Sequence, residues 1–195
     1  MNIFKTLTLV SLSTTMLLAA PQDKKQLQLE YVNTQGQKGS GLLLKTLGKN
    51  MKKSMKKGGV MKALSFCSNE AYTITQDVNK KLPKGVTVKR ISTNYRSPAN
   101  APQGNEEAIL KSLQELQDLN VLLPQKIIEQ VDSQTFKYYK PLVIDNKVCL
   151  KCHGKVTDID LRRAIAERYP LDKAMNYEMN DLRGAVIVTI TKSTK

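Results

Sequence analysis

The sequence contains no tryptophan, one histidine and few aromatics, which make up 5% of its 195 residues. A single imidazole rules out any metal site built on two histidines of one chain. The scarcity of large rings leaves a core short of planar apolar mass. Acidic residues are scarce too: 17 against 31 basic ones, for a net charge of +14. Between Glu30 and Glu70 there is no acid at all, whereas Lys38, Lys45, Lys49, Lys52, Lys53, Lys56, Lys57 and Lys62 all fall there. Beyond residue 20 no apolar run is long enough to span a membrane. The three cysteines are an odd number, so any disulfide scheme leaves one over. The length suits one domain with an appendage, and the hydrophobic share of 41% is ordinary for a globular chain.

Residues 1–20 read as a signal peptide. Lys5 supplies a basic start, Leu7 to Ala20 carries no charge, and Leu18-Ala19-Ala20 offers small residues for cleavage. Pro21 is a poor follower of a cleavage site, so an uncleaved N-terminal segment is the alternative. The expected protein is exported, and periplasmic in a Gram-negative source, either soluble or held by that segment. Such a chain does not meet nucleic acid. Its lysine-rich stretch suits an acidic protein partner or contact with an anionic membrane surface, although a lysine run is most often a solvated face.

Residues 21–37 are polar and read as a leader. From about Gly41 to Lys80 the pattern is helical and rich in lysine, with an interruption at Gly58-Gly59. Leu64, Cys67, Ala71, Ile74 and Val78 recur at steps of three and four, which places Cys67 on the inward stripe. Val86 to Thr93, Gln134 to Ile144 and Gly184 to Thr191 read as strands. Asn105 is placed to cap a helix opening with Glu106 and Glu107, and a further short helix is expected after Pro124. Asp158 is placed to cap a helix over Ile159 to Arg168.

Cys149-Leu150-Lys151-Cys152-His153 matches Cys-x-x-Cys-His, the pattern of covalent haem attachment. Two intervening residues set the separation at which two thiols reach the two vinyl groups of one porphyrin. The histidine after the second cysteine then lies beneath the iron, and Gly154 leaves room beside the ring. A redox disulfide would open a helix in a βαβ setting, which is missing here. A structural zinc site needs four ligands, and no second pair exists. One covalent haem c is therefore expected, and it would supply the planar mass the core lacks.

The second axial ligand is open on residue chemistry alone. Met51, Met55, Met61, Met175 and Met179 offer thioethers, and Cys67 offers a thiolate. An unpaired thiol in an oxidising compartment is a liability unless buried or ligated, which favours Cys67 over any single methionine. A lysine or an open position is the remaining alternative.

Several segments recur in order: Ala63-Leu64-Ser65-Phe66-Cys67, Val88-Lys89-Arg90-Ile91-Ser92, Arg96-Ser97-Pro98-Ala99-Asn100, Tyr139-Lys140-Pro141-Leu142, Tyr169-Pro170-Leu171-Asp172 and Asp181-Leu182-Arg183-Gly184. With the haem motif, this set over residues 60–191 resembles the Tll-like c-type haem domain family, a domain-of-unknown-function family with a PAS-like fold. Ser97 stands where that family more often has Asn, and the helix before residue 58 falls outside the resemblance. The resemblance implies an α+β fold, a PAS-like central antiparallel sheet flanked by helices and preceded here by the long N-terminal helix, with the haem domain over residues 61–195. It implies His153/Cys67 axial ligation. Arg90, Arg96 and Arg183 are candidates for the haem propionates, which need cationic or hydrogen-bonding partners when buried.

A six-coordinate iron suits an electron carrier. A thiolate that leaves on reduction suits a redox or diatomic-gas sensor acting through a partner. Peroxidase-type catalysis needs distal acid–base groups, and the one histidine is already a ligand, so no enzyme is expected. The leading expectation is an electron carrier.

Overall fold

A computed structural model describes residues 21–192. The expected signal peptide, residues 1–20, lies outside them. No helix among the described residues is long and apolar enough to cross a membrane.

The chain opens with a helix, α1, over Pro21–Asn69. Residues 21–37, expected as a leader, are thus helical. They dock because their inner face is made of small residues. A Cβ on Gly36 would fall inside the Tyr138 ring, and one on Gly39 would lie 3.1 Å from a Val188 methyl. Glycine at these two positions lets the helix backbone approach the sheet closely. Val32, Leu43 and Leu47 continue that buried face. The helix breaks where expected: Gly58 and Gly59 are non-helical, and Gly59 has φ +64°. A turn at Glu70 then separates α1 from α2, Ala71–Asn79.

Four strands follow in antiparallel pairs: β1 (Val86–Ile91), β2 (Ile127–Gln130), β3 (Thr135–Val143) and β4 (Leu182–Thr191), in the order β1-β4-β3-β2. Side chains alternate between the two sheet faces. Val86, Val88, Phe136, Tyr138, Val186, Val188 and Ile190 face α1 and α2. Ile91, Tyr139, Ala185 and Ile187 face the other way, onto α3, Asn105–Asp118, which contributes Leu110. The segment after Pro124 forms β2, an edge strand, where a short helix was expected.

Asn105 does not cap α3. Gly104 holds the cap position with φ +57°, and the Asn105 amide donates to Glu129 at 3.0 Å. Glu106, 2% exposed, ties α3 to the sheet: it accepts from Lys89 at 2.8 Å, Lys137 at 3.0 Å and the Gln103 N–H at 2.9 Å. The short α4 spans Lys147–His153. The helix α5, Ile159–Arg168, is capped as expected, with Asp158 accepting from the Leu161 N–H at 2.9 Å. Leu161, Ala164 and Ile165 of α5 pack on Leu64, beyond the glycine break of α1. The architecture is α+β, with a central antiparallel sheet, flanking helices and a long N-terminal helix.

Candidate functional site

The Asn146 side chain accepts the Val148 N–H at 2.9 Å and starts α4. One helical turn then sets Cys149, Cys152 and His153 at spacings of three and four, on one side of the helix. The Gly154 N–H closes the helix on the Leu150 carbonyl at 2.9 Å. A Cβ on Gly154 would lie 2.8 Å from that oxygen. The helix end itself therefore requires a glycine here.

His153 is held at one nitrogen. Its Nδ1 lies 2.9 Å from the Ala174 carbonyl oxygen, which can only accept, so Nδ1 carries the hydrogen and Nε2 keeps a free lone pair. Tyr177 meets the ring edge-on at 6.4 Å between centroids. Burial, reinforced by the Arg183 and Arg96 charges, pushes the His153 pKa down to about 3. The imidazole is neutral at physiological pH, the form that binds metal.

The cleft beside α4 holds about 570 Å³, within the range of cofactor pockets. All seven residues singled out from the sequence line it: Cys67, Arg90, Arg96, Cys149, Cys152, His153 and Arg183. They come from α1, β1, the loop after β1, α4 and β4. Cys67 is not sealed in a core, as its place on the inward stripe implied. It is solvent-accessible on the cleft wall yet surrounded by protein. That burial pushes its thiol pKa up, and Arg90 and Arg96 partly offset the rise. The Cys149 and Cys152 thiols are also raised, chiefly by burial. A thiol–disulfide motif works through a lowered pKa, so these cysteines are poorly set for that chemistry.

The three arginines divide by what they bind. Arg96 reaches the Cys152 carbonyl at 2.7 Å, the Ala174 carbonyl at 2.9 Å and Asp172 at 3.2 Å. Arg183 donates to Ser92 at 2.8 Å and the Asn94 carbonyl at 3.0 Å, and lies over the Tyr177 ring. Both fasten the walls of the cleft. Arg90 has no hydrogen bond or ion pair among the described residues, and burial lowers its pKa while Cys67 and Tyr169 oppose that.

Of the methionines, Met51 and Met55 line the cleft; Met61 is 44% exposed, and Met175 and Met179 pack in other clusters. Asp172 was missed by sequence reasoning, although it pairs with Arg96 and accepts the Ala174 N–H at 2.8 Å. Its signal was the acid within Tyr169-Pro170-Leu171-Asp172, where a loop carboxylate can bond the backbone two residues on. No group of three or more His, Cys, Asp or Glu among the described residues is placed to hold a bare metal ion.

Comparison with known proteins agrees with this layout. A search of curated proteins finds no match. Among solved structures, the crystal structure of the cyanobacterial heme-protein Tll0287 shares the fold, with TM-score 0.55, 20% identity and coverage of 91% of this chain and 99% of that one. A family model described as Tll0287-like matches residues 15–191, so it also takes in the lysine-rich helix that the sequence resemblance left out. The chain therefore belongs to the Tll0287-like family.

Proposed function

We propose that the chain is an exported mono-haem c-type cytochrome that carries single electrons. One observation bears most of the weight: Cys149, Cys152 and a neutral His153 with a free Nε2 open together onto a cleft whose wall also carries Cys67. The description of Tll0287 as a heme protein supports the same reading.

The residues fit the cofactor's chemistry. The Cys149 and Cys152 thiols would hold the haem as two thioethers, one to each vinyl group. His153 would hold the iron through Nε2, and Cys67 would supply the second protein donor through its sulfur. Arg90, which lines the cleft and has no hydrogen bond or ion pair among the described residues, would be available to a propionate carboxylate. Arg96 and Arg183, the other two propionate candidates, line the same cleft and in addition bond carbonyls in its walls. When bound, the haem supplies a one-electron iron couple. The only imidazole serves as ligand, which leaves no distal histidine for peroxidase-type catalysis.

A second reading, a haem-based redox or gas sensor, is favoured by the Gly58-Gly59 break. That break separates Met51 and Met55 from Cys67 within one helix. It interrupts the helical hydrogen-bonded backbone between the two groups of candidate sulfur donors, the kind of joint a ligand exchange would use.

The test is expression with a haem-attachment system, followed by mass measurement and a pyridine haemochrome spectrum of the denatured chain. One haem that stays bound after denaturation is expected, and Cys149→Ala with Cys152→Ala should abolish it. A chain that releases its haem on denaturation would sink the c-type reading.

A further inference from the structure

We propose that the lysine face of α1 along the cleft rim is the docking surface for an acidic electron-exchange protein; this rests on the redox reading above and names its partner's chemistry. Up to Gly58 the helix is unbroken. At 3.6 residues per turn, Lys38, Lys45, Lys49, Lys52 and Lys56 fall within about 60° of arc along roughly 27 Å of axis. All five are exposed, and none forms an ion pair among the described residues. Val32, Gly36, Leu43 and Leu47 lie on the opposite side, against the sheet.

Met51 and Met55 sit between these two faces and line the cleft. Met55 is about 60° of arc from Lys52. Passing round the helix, one meets the buried face, then the cleft edge, then the lysines. The stripe therefore runs beside the opening through which an electron would pass. A partner held on it is brought close to the cofactor rather than to a remote surface.

Charge and apolar content decide between a protein and a membrane. A helix that lies in a membrane interface needs exposed apolar residues beside its basic face. From Val32 to Val60 no large apolar side chain is exposed; those of α1 are Leu27, Tyr31 and Met61, outside that span. Ammonium groups with no internal counter-ion keep a long-range field that steers an oppositely charged protein face.

The experiment uses the full haem-loaded chain and a reduced acidic [2Fe–2S] ferredoxin as probe. Stopped-flow spectroscopy gives the second-order rate of electron exchange across ionic strengths, and calorimetry gives binding of the same probe without relying on haem. The stripe variant carries Lys45→Glu, Lys49→Glu and Lys52→Glu. The control carries Lys84→Glu, Lys111→Glu and Lys155→Glu, which change net charge equally.

The expected result is a rate ~10-fold or more lower for the stripe variant at low salt, shrinking as salt rises, with the control within ~3-fold of wild type. Calorimetric binding should weaken in the same order. Equal slowing in both variants, or no slowing in the stripe variant, overturns the proposal. So does stripe-dependent sedimentation with vesicles of one-third phosphatidylglycerol when ferredoxin binding does not depend on the stripe. A wild-type chain that takes up no haem but binds the probe through the stripe leaves the docking face standing and overturns the cytochrome reading alone.

Discussion

Arg96 and His153 converge on a single acceptor, the carbonyl oxygen of Ala174, each at 2.9 Å. Arg96 also holds the Cys152 carbonyl, so one guanidinium ties the end of α4 to the segment that orients the imidazole. The ring's tautomer and the helix that bears it are fixed by the same few atoms. Asp172 closes the arrangement at 3.1 Å from the guanidinium, both side chains being less than a tenth exposed.

Arg96→Ala removes four polar contacts and leaves the Asp172 carboxylate buried without its partner. Loss of one member of a buried pair typically destabilises by about 3 kcal/mol or more. Urea denaturation measures it. Arg96→Lys should recover only a small part, because an ammonium cannot reproduce the planar fork. Full recovery by lysine would show that charge alone matters there.

Glu106 links stability to pH. Burial raises its pKa, but hydrogen bonds from Lys89, Lys137 and the Gln103 N–H outweigh burial, and the folded value lies below the ordinary 4.5. Its contribution is therefore complete above the unfolded value and is lost as pH falls through the lower folded one. Glu106→Gln should destabilise by about 2 kcal/mol at neutral pH and flatten the acid limb below about pH 4.5. Denaturation midpoints from pH 3 to 7 for both proteins test this; parallel curves would contradict it.

Gly36→Ala forces a methyl into the Tyr138 ring, so overpacking should cost about 3 kcal/mol. Gly41, also in α1, has open space around its would-be Cβ. Gly41→Ala should stabilise by roughly 0.5–1 kcal/mol through helix propensity. Thermal melts of the two variants should move in opposite directions.

Ligation by Cys67, as proposed above, predicts that Cys67→Ala in the haem-loaded chain raises the midpoint potential and changes the ferric absorption spectrum. Redox titration beside the wild type reads both. Unchanged spectra and potential would exclude Cys67 as a ligand.

The helix α5 and strand β4 were legible because each carries a local signal: the Asp158 cap in one, a run of β-branched residues in the other. The grouping of Cys149, Cys152 and His153 at one cleft was legible because spacings of three and four set them on one side of a helical turn. The start of α1 was hidden, since its docking face uses Gly36, Gly39 and Ser40, which add no apolar periodicity. The edge strand β2 is four residues long, too short for alternation to distinguish it from a helical turn. Arg90, Arg96 and Arg183 read alike in sequence. Among the described residues Arg96 and Arg183 bond carbonyls from distant segments and Arg90 bonds none, a division that only the tertiary structure creates.

The alternation of β1 makes the composition of the cleft a matter of register. The Arg90 side chain shares a face of β1 with Val88, while the Lys89 side chain, on the other face, pairs with Glu106. A one-residue deletion within this strand would exchange the two audiences at once. The Arg90 guanidinium would turn toward α3, the Lys89 ammonium that pairs with Glu106 would turn away from it, and the charge lining the cleft and the α3 anchor would change together from a single frameshift in pairing.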